Sequence, residues 1–304
     1  MAVKESSVGI IEFPSLMEEV TERFQRQTVL FPLLIRPTLA TYFKRNTTAK
    51  VITNTNLMST FLITRALIED NVYPLTEPWE KKLSYAATHV HDLPQMVFRG
   101  MNPAYSALVA YMTRSAARTR SVSAKAALAW LVQALVAYTY ESKASLLHPA
   151  QATNIYVSHL KRLYHGNGEV NEANHENIYT FPIEVEADLL VMHAPPMAGY
   201  QSDEELATLE GIISGTLDIS AEFKPERTLG SAFESDDKYL SHVIRILRAA
   251  EHIPTWLVAL PDVRLGEKMV RQLRQFNRYI KVFDEHSTDH PVQAKHVSLF
   301  LVSR

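Results

Sequence analysis

Two apolar rhythms divide this chain. In residues 1–71 and again in 181–304, short continuous apolar runs alternate with stretches whose apolar positions recur every third or fourth residue. That is the signature of buried strands alternating with amphipathic helices. The first stretch predicts a helix over 15–25, a strand over 28–35 (TVLFPLLI), a helix, a strand over 50–53 (KVIT) and a helix over 60–69. The second predicts strands over 188–193 (DLLVMH) and 256–260 (WLVAL), with a helix over 202–213. Ser235, Asp236 and Asp237 can cap a further helix, on which Leu240, Val243, Ile244 and Leu247 share a face. A helix over 266–278, with Val270, Leu273 and Phe276 inward, precedes strands over 279–283 and 297–302. Residues 72–180 read differently. They are mostly helical, rich in Ala, Tyr and Arg, and end in a polar, turn-rich loop over 165–177. The pattern therefore predicts one α/β domain in two parts, 1–71 and 181–304, with a parallel sheet and a helical insertion at 72–180.

Composition narrows the chemistry. With 304 residues, 46% hydrophobic and 21% charged, the chain can build a large core. It contains no cysteine, which excludes disulfides, thiolate metal sites and cysteine nucleophiles. The net charge of -2 confines any nucleic-acid surface to a local patch. Only 9 residues are glycine, about 3% against a usual ~7%. Few segments can then wrap closely around a phosphate or cofactor. The run 126–140 (AALAWLVQALVAYTY) is shorter than the ~20 residues of a membrane span and carries Gln133. It predicts a core helix or a partner surface. With no apolar leader in the first residues, the expectation is a soluble, cytoplasmic protein without membrane contact.

The order of elements after residue 180, with strand 188–193 running into Ala194-Pro195-Pro196-Met197 and then a capped helix and TWLVAL, resembles the Dam-like family of adenine-specific DNA methyltransferases. Residues 187–205 (ADLLVMHAPPMAGYQSDEE) resemble that family's strand ending in Asp-Pro-Pro-Tyr. Residues 50–71 resemble its second strand and following helix, and 227–260 with 279–283 its last elements. The resemblance implies a Rossmann-like methyltransferase sheet, with the helical insertion in the place of target recognition.

It also implies two sites whose residues differ here. In the family, the Asp accepts a hydrogen bond from the target amino group, the carbonyl beside it assists, and the Tyr stacks on the flipped base. Ala194, Pro195, Pro196 and Met197 stand there instead, without the carboxylate or the ring. The family's glycine-rich cofactor turn falls on Ile35, Arg36, Pro37, Thr38, Leu39 and Ala40. Its ribose-binding acid falls on Asn54, Thr55 and Asn56. The reading is a non-catalytic subunit without S-adenosylmethionine, paired with an active DNA methyltransferase that holds the cofactor. Two alternatives stand beside it. One is an active, divergent enzyme in which Asp188 or Asp203 replaces the missing carboxylate. The other is a stand-alone nucleic-acid-binding module.

Other constellations are sparse. No Gly-x-Ser-x-Gly elbow or Gly-Lys-Ser/Thr phosphate loop occurs. His89 and His91, like His286 and His290, read as surface residues rather than metal ligands. Two basic arrays are candidate DNA contacts. Arg114, Arg118 and Arg120 lie in the insertion beside Tyr105 and Tyr111. Arg264, Lys268, Arg271 and Arg278, with Arg274 and Lys281, recur near helical spacing.

Overall fold

The computed structural model describes residues 14–69, 72–98, 100–142, 146–164, 166–199, 204–217, 229–230, 232–283 and 298–304. The expectations on Asp203, His286 and His290 lie outside them. The chain divides into two compact units. The first comprises Met1–Asn56, Asn167–Gln201 and Pro225–Arg304, and the second Leu57–Gly166 and Ser202–Lys224. The helical unit thus begins at Leu57 and takes in a second stretch after residue 201, where sequence reading drew one insertion over 72–180.

The first unit is an α/β sheet of seven strands. In chain order these are β1 (Thr28–Phe31), β2 (Lys50–Asn54), β3 (Glu172–Asn174), β4 (Leu189–His193), β5 (Thr255–Leu260), β6 (Tyr279–Phe283) and β7 (Ser298–Ser303). The spatial order is β3-β2-β1-β4-β5-β7-β6, with β7 antiparallel to both its neighbours and the other pairings parallel. Chain order reverses between β1 and β4, a switch point compatible with a Rossmann-like fold. All six residues of β5 are buried, as expected for a central strand whose apolar run is continuous. Strand β3 lies in the segment read as a loop. Its three residues, Glu-Ala-Asn, carry no apolar alternation, and pairing with β2 alone makes them a strand.

The helix α9 (Asp236–Ala249) forms as its pattern predicts, with Ser235 Oγ accepting the Lys238 N–H. Its Tyr239, Leu240, Val243 and Leu247 join Leu30, Ile52, Leu190, Met192, Trp256, Val258 and Phe300 in one core. The helix predicted over 266–278 stops earlier, as α10 (Gly266–Leu273) followed by a 3-10 turn, Arg274–Phe276. Asn277 then adopts a left-handed conformation, φ 52°, that turns the chain into β6.

The second unit is helical. Its centre is α6 (Val122–Glu141), hairpinned against α5 (Pro103–Arg118) and flanked by α3 (Met58–Thr64), α7 (Pro149–Leu163) and α8 (Glu204–Leu217). By length and composition α6 is the one helix among the described residues that could cross a membrane. It is a core helix here, since Ala127, Leu128, Leu131, Leu135 and Val136 are fully buried in a single apolar cluster. The Tyr105 and Tyr138 hydroxyls hold both backbone polar groups of Leu147, Tyr105 donating to its carbonyl and Tyr138 accepting its N–H.

The amino end of α3 has no cap from its own sequence, because Leu57 precedes it. Glu210 of α8 supplies one. Its carboxylate accepts the Met58 N–H at 3.1 Å, the Ser59 N–H at 2.9 Å and the Ser59 hydroxyl at 2.6 Å. These are charge-assisted bonds to donors that a helix start otherwise leaves unpaired. Glu210→Ala should destabilise the protein by about 1–3 kcal/mol. Urea denaturation checks this, and an unchanged midpoint would show that the cap contributes nothing.

Candidate functional site

In an open α/β sheet, ligands bind beyond the carboxyl ends of the strands at the switch point. Here that edge is stitched shut by side chains. Asn54, the last residue of β2, is fully buried. Its amide nitrogen donates to the Pro32 carbonyl at 3.3 Å and the Glu176 carbonyl at 3.2 Å, and its oxygen accepts the Glu176 N–H at 2.8 Å. Its own carbonyl accepts the Leu34 N–H at 2.8 Å. The turn after β1 is therefore drawn down over the end of β2, with Leu33 and Leu34 buried. Pro37 is buried at the start of α2 (Thr38–Asn46), and Arg36 and Thr38 are half-buried. Asn56 donates to the Leu229 carbonyl at 3.2 Å. These residues do not fit S-adenosylmethionine. The positions assigned to the ribose acid, Asn54, Thr55 and Asn56, carry no carboxylate, and the Asn54 carbonyl is bonded to the Leu34 N–H.

The end of β4 is closed in the same way. Ala194 is fully buried, and its N–H extends the ladder to the Ala259 carbonyl. The Pro195 carbonyl accepts the Tyr239 hydroxyl at 2.7 Å. Burial, and then the nearby Asp262, hold that phenol well above its ordinary pKa, so it remains a donor. Pro196 is exposed, while Met197 packs against the sheet core and its carbonyl accepts the Phe233 N–H. Asp188, offered above as a replacement carboxylate, is at the wrong end of its strand. It precedes β4 and accepts the Thr28 N–H at 2.9 Å, at the amino edge of the sheet. Six residues of extended chain separate it from Ala194, about 20 Å.

No protein-family model matches the chain, and no curated protein sequence matches it.

Sequence reading missed one group at this edge. The Leu229 N–H donates to the Tyr179 hydroxyl oxygen at 2.7 Å, and that hydroxyl bonds His242 Nδ1 at 2.5 Å. Phe233 stands edge-on to the His242 ring, and the Arg245 guanidinium lies 4.4 Å from the centre of the Tyr179 ring. With Leu229 donating to its oxygen, the phenol can give its own proton to Nδ1 when the imidazole is neutral and carries its proton on Nε2. Burial, then Arg245, lower the His242 pKa from its ordinary value and favour the same state. No motif signals the group, because its members are 50 and 63 residues apart. Together Tyr179 and Asn56 hold both polar groups of the Leu229 peptide.

The two basic arrays have different fates. In the later one, Arg278 is turned inward, which removes it as a DNA contact. Its guanidinium lies 3.8 Å from the centre of the Trp256 ring and donates to the Ile253, Pro254 and Glu251 carbonyls. Burial, then Arg304, lower its pKa to about 10. Arg264 pairs with Asp262, holding that carboxyl below its ordinary range. Lys268 pairs with Asp236 at 2.7 Å. Arg271 and Arg274 remain exposed. In the insertion array, Arg118 and Arg120 are exposed and Arg114 half-exposed. Tyr105, named beside them, is 1% exposed and belongs to the core. His89 stacks on Tyr85, and His91 is exposed. Among the described residues no three His, Asp or Glu side chains gather in a metal-binding group.

Asn54→Asp should destabilise the protein by about 3–5 kcal/mol, because it buries a charge and removes both donors. Chemical denaturation of that variant tests the assignment, and a stability equal to the parent would refute it. His242 predicts a pH dependence. The unfolded chain binds a proton near pH 6.5 that the folded protein resists. Stability should be full above about pH 6.5. It should fall as pH drops below that value, then level once folded His242 is protonated. Subtracting the melting profile of His242→Gln from that of the parent isolates the effect, and a pH-independent difference would exclude it.

Proposed function

We propose that this chain is a non-catalytic, methyltransferase-like subunit that pairs in the cytoplasm with an active adenine-specific DNA methyltransferase, as one half of a DNA-modification complex. The observation that carries the reading is the closed carboxyl edge. The positions that would face cofactor and target base are Asn54, Asn56 and Pro195, and each is engaged by an internal hydrogen bond. The sheet supports it at the level of fold, with its reversal between β1 and β4 where a nucleotide-like cofactor would sit. The active-enzyme reading loses support, since Asp188 caps β1 at the opposite edge.

In this role the chain contributes surface and rigidity, and the partner contributes cofactor and methyl transfer. Calorimetric titration of the purified chain with S-adenosylmethionine should give no heat up to millimolar cofactor. Saturable binding near micromolar would overturn the reading. Co-expression with candidate adenine-specific methyltransferases should give a stable heteromer with one of them. A chain that purifies alone beside all of them would also overturn it.

A further inference from the structure

The sheet ends in two different edges. At one, β3 is three residues long, Glu-Ala-Asn, and its Glu172 pairs with Lys50. At the other, β6 is five residues long and reads Tyr-Ile-Lys-Val-Phe. Among the described residues it pairs with β7 alone, so the backbone N–H and C=O groups that point away from β7 meet no strand. Its residue types favour strands, and none of the five is buried, with Tyr279 70% and Val282 40% exposed. Side chains alternate along it. Ile280 packs against the sheet core, and Tyr279, Lys281 and Phe283 share the opposite face, with the Lys281 ammonium 4.6 Å from the centre of the Phe283 ring.

Charge decides what could pair there. From Lys268 to Phe283 the sequence carries five cations and no Asp or Glu. Two are used inside the fold: Lys268 pairs with Asp236, and Arg278 stacks on Trp256. Arg271, Arg274 and Lys281 are exposed. Arg274 opens the turn that feeds β6, and Lys281 is the middle residue of the strand. A second copy of this chain is a poor occupant, because the antiparallel register that pairs all five residues sets Lys281 opposite Lys281. A carboxylate in that place is favourable instead.

We propose that β6 is a docking edge for an extended acidic segment of another protein, which adds to the sheet as a further strand with a carboxylate opposite Lys281. Main-chain hydrogen bonds supply affinity in this mode of recognition, and alternate side chains supply specificity. Apolar residues on either side of the carboxylate extend the face of Ile280 and Val282. Arg271 and Arg274, which precede the strand, carry the positive field to its amino end. The proposal rests on the open edge and its charge, and it stands apart from the methyltransferase pairing proposed above.

The test uses the full chain and two fluorescein-labelled peptides, Glu-Thr-Val-Glu-Val-Thr-Glu and its counterpart with lysine at each glutamate. The palindromic order lets either peptide match β6 in both strand directions. Fluorescence anisotropy should show saturable binding of the acidic peptide and little of the basic one. Lys281→Glu should weaken the acidic peptide roughly tenfold and strengthen the basic one. Hydrogen–deuterium exchange should slow over residues 279–283 when the acidic peptide is bound, which charge attraction without strand pairing does not produce. Lys281 is exposed, so the variant should fold, and circular dichroism checks that it does. Absence of acidic-peptide binding up to millimolar concentration would overturn the proposal. So would equal binding of both peptides, affinity indifferent to Lys281→Glu, or a bound peptide that leaves exchange at β6 unchanged. Sedimentation that shows a dimer of the parent, dissociated by the acidic peptide, would give the edge to a second copy instead and overturn it as well.

Discussion

A buried carboxamide with no water to turn to must find its partners in the protein, and Asn54 finds them in the turn after β1 and in the chain leaving β3. The side chain has two donors and one acceptor oxygen, and each is engaged by backbone. That requirement draws two connecting segments across the carboxyl edge of β2. The Leu34 N–H then meets the Asn54 carbonyl, and Leu33 and Leu34 enter the core. The same economy recurs where Tyr239 meets Pro195, and where Tyr179 and Asn56 hold Leu229.

Such an edge changes what a switch-point sheet can do. The crevice of an α/β fold is useful because its backbone groups and acidic side chains are left for a ligand. Here they face other parts of the chain. Polar groups that would bind a cofactor stabilise the fold instead, which agrees with a chain poor in glycine and therefore poor in open backbone.

Much of this architecture was legible from the chain. Strands β2, β4 and β5 were predicted to within a residue or two, because their apolar runs are nearly continuous and sheet strands buried on both faces leave that mark. Ser235 announced the start of α9. Strand β3, by contrast, has no pattern of its own and exists only beside β2.

What residue identity cannot carry is the use to which each polar group is put. Asn54 was read as an absence, a missing acid, and the fold makes it a clamp. Arg278 and Lys268 have the spacing of an exposed basic stripe, yet one stacks on Trp256 and the other pairs with Asp236 across 32 residues. Tyr179 and His242 carried no signal at all. Apolar periodicity is local and survives in one dimension, so it determined the class of fold and most of its elements. Hydrogen bonds and ion pairs between side chains join residues far apart in sequence, and only the folded chain decides which of them meet.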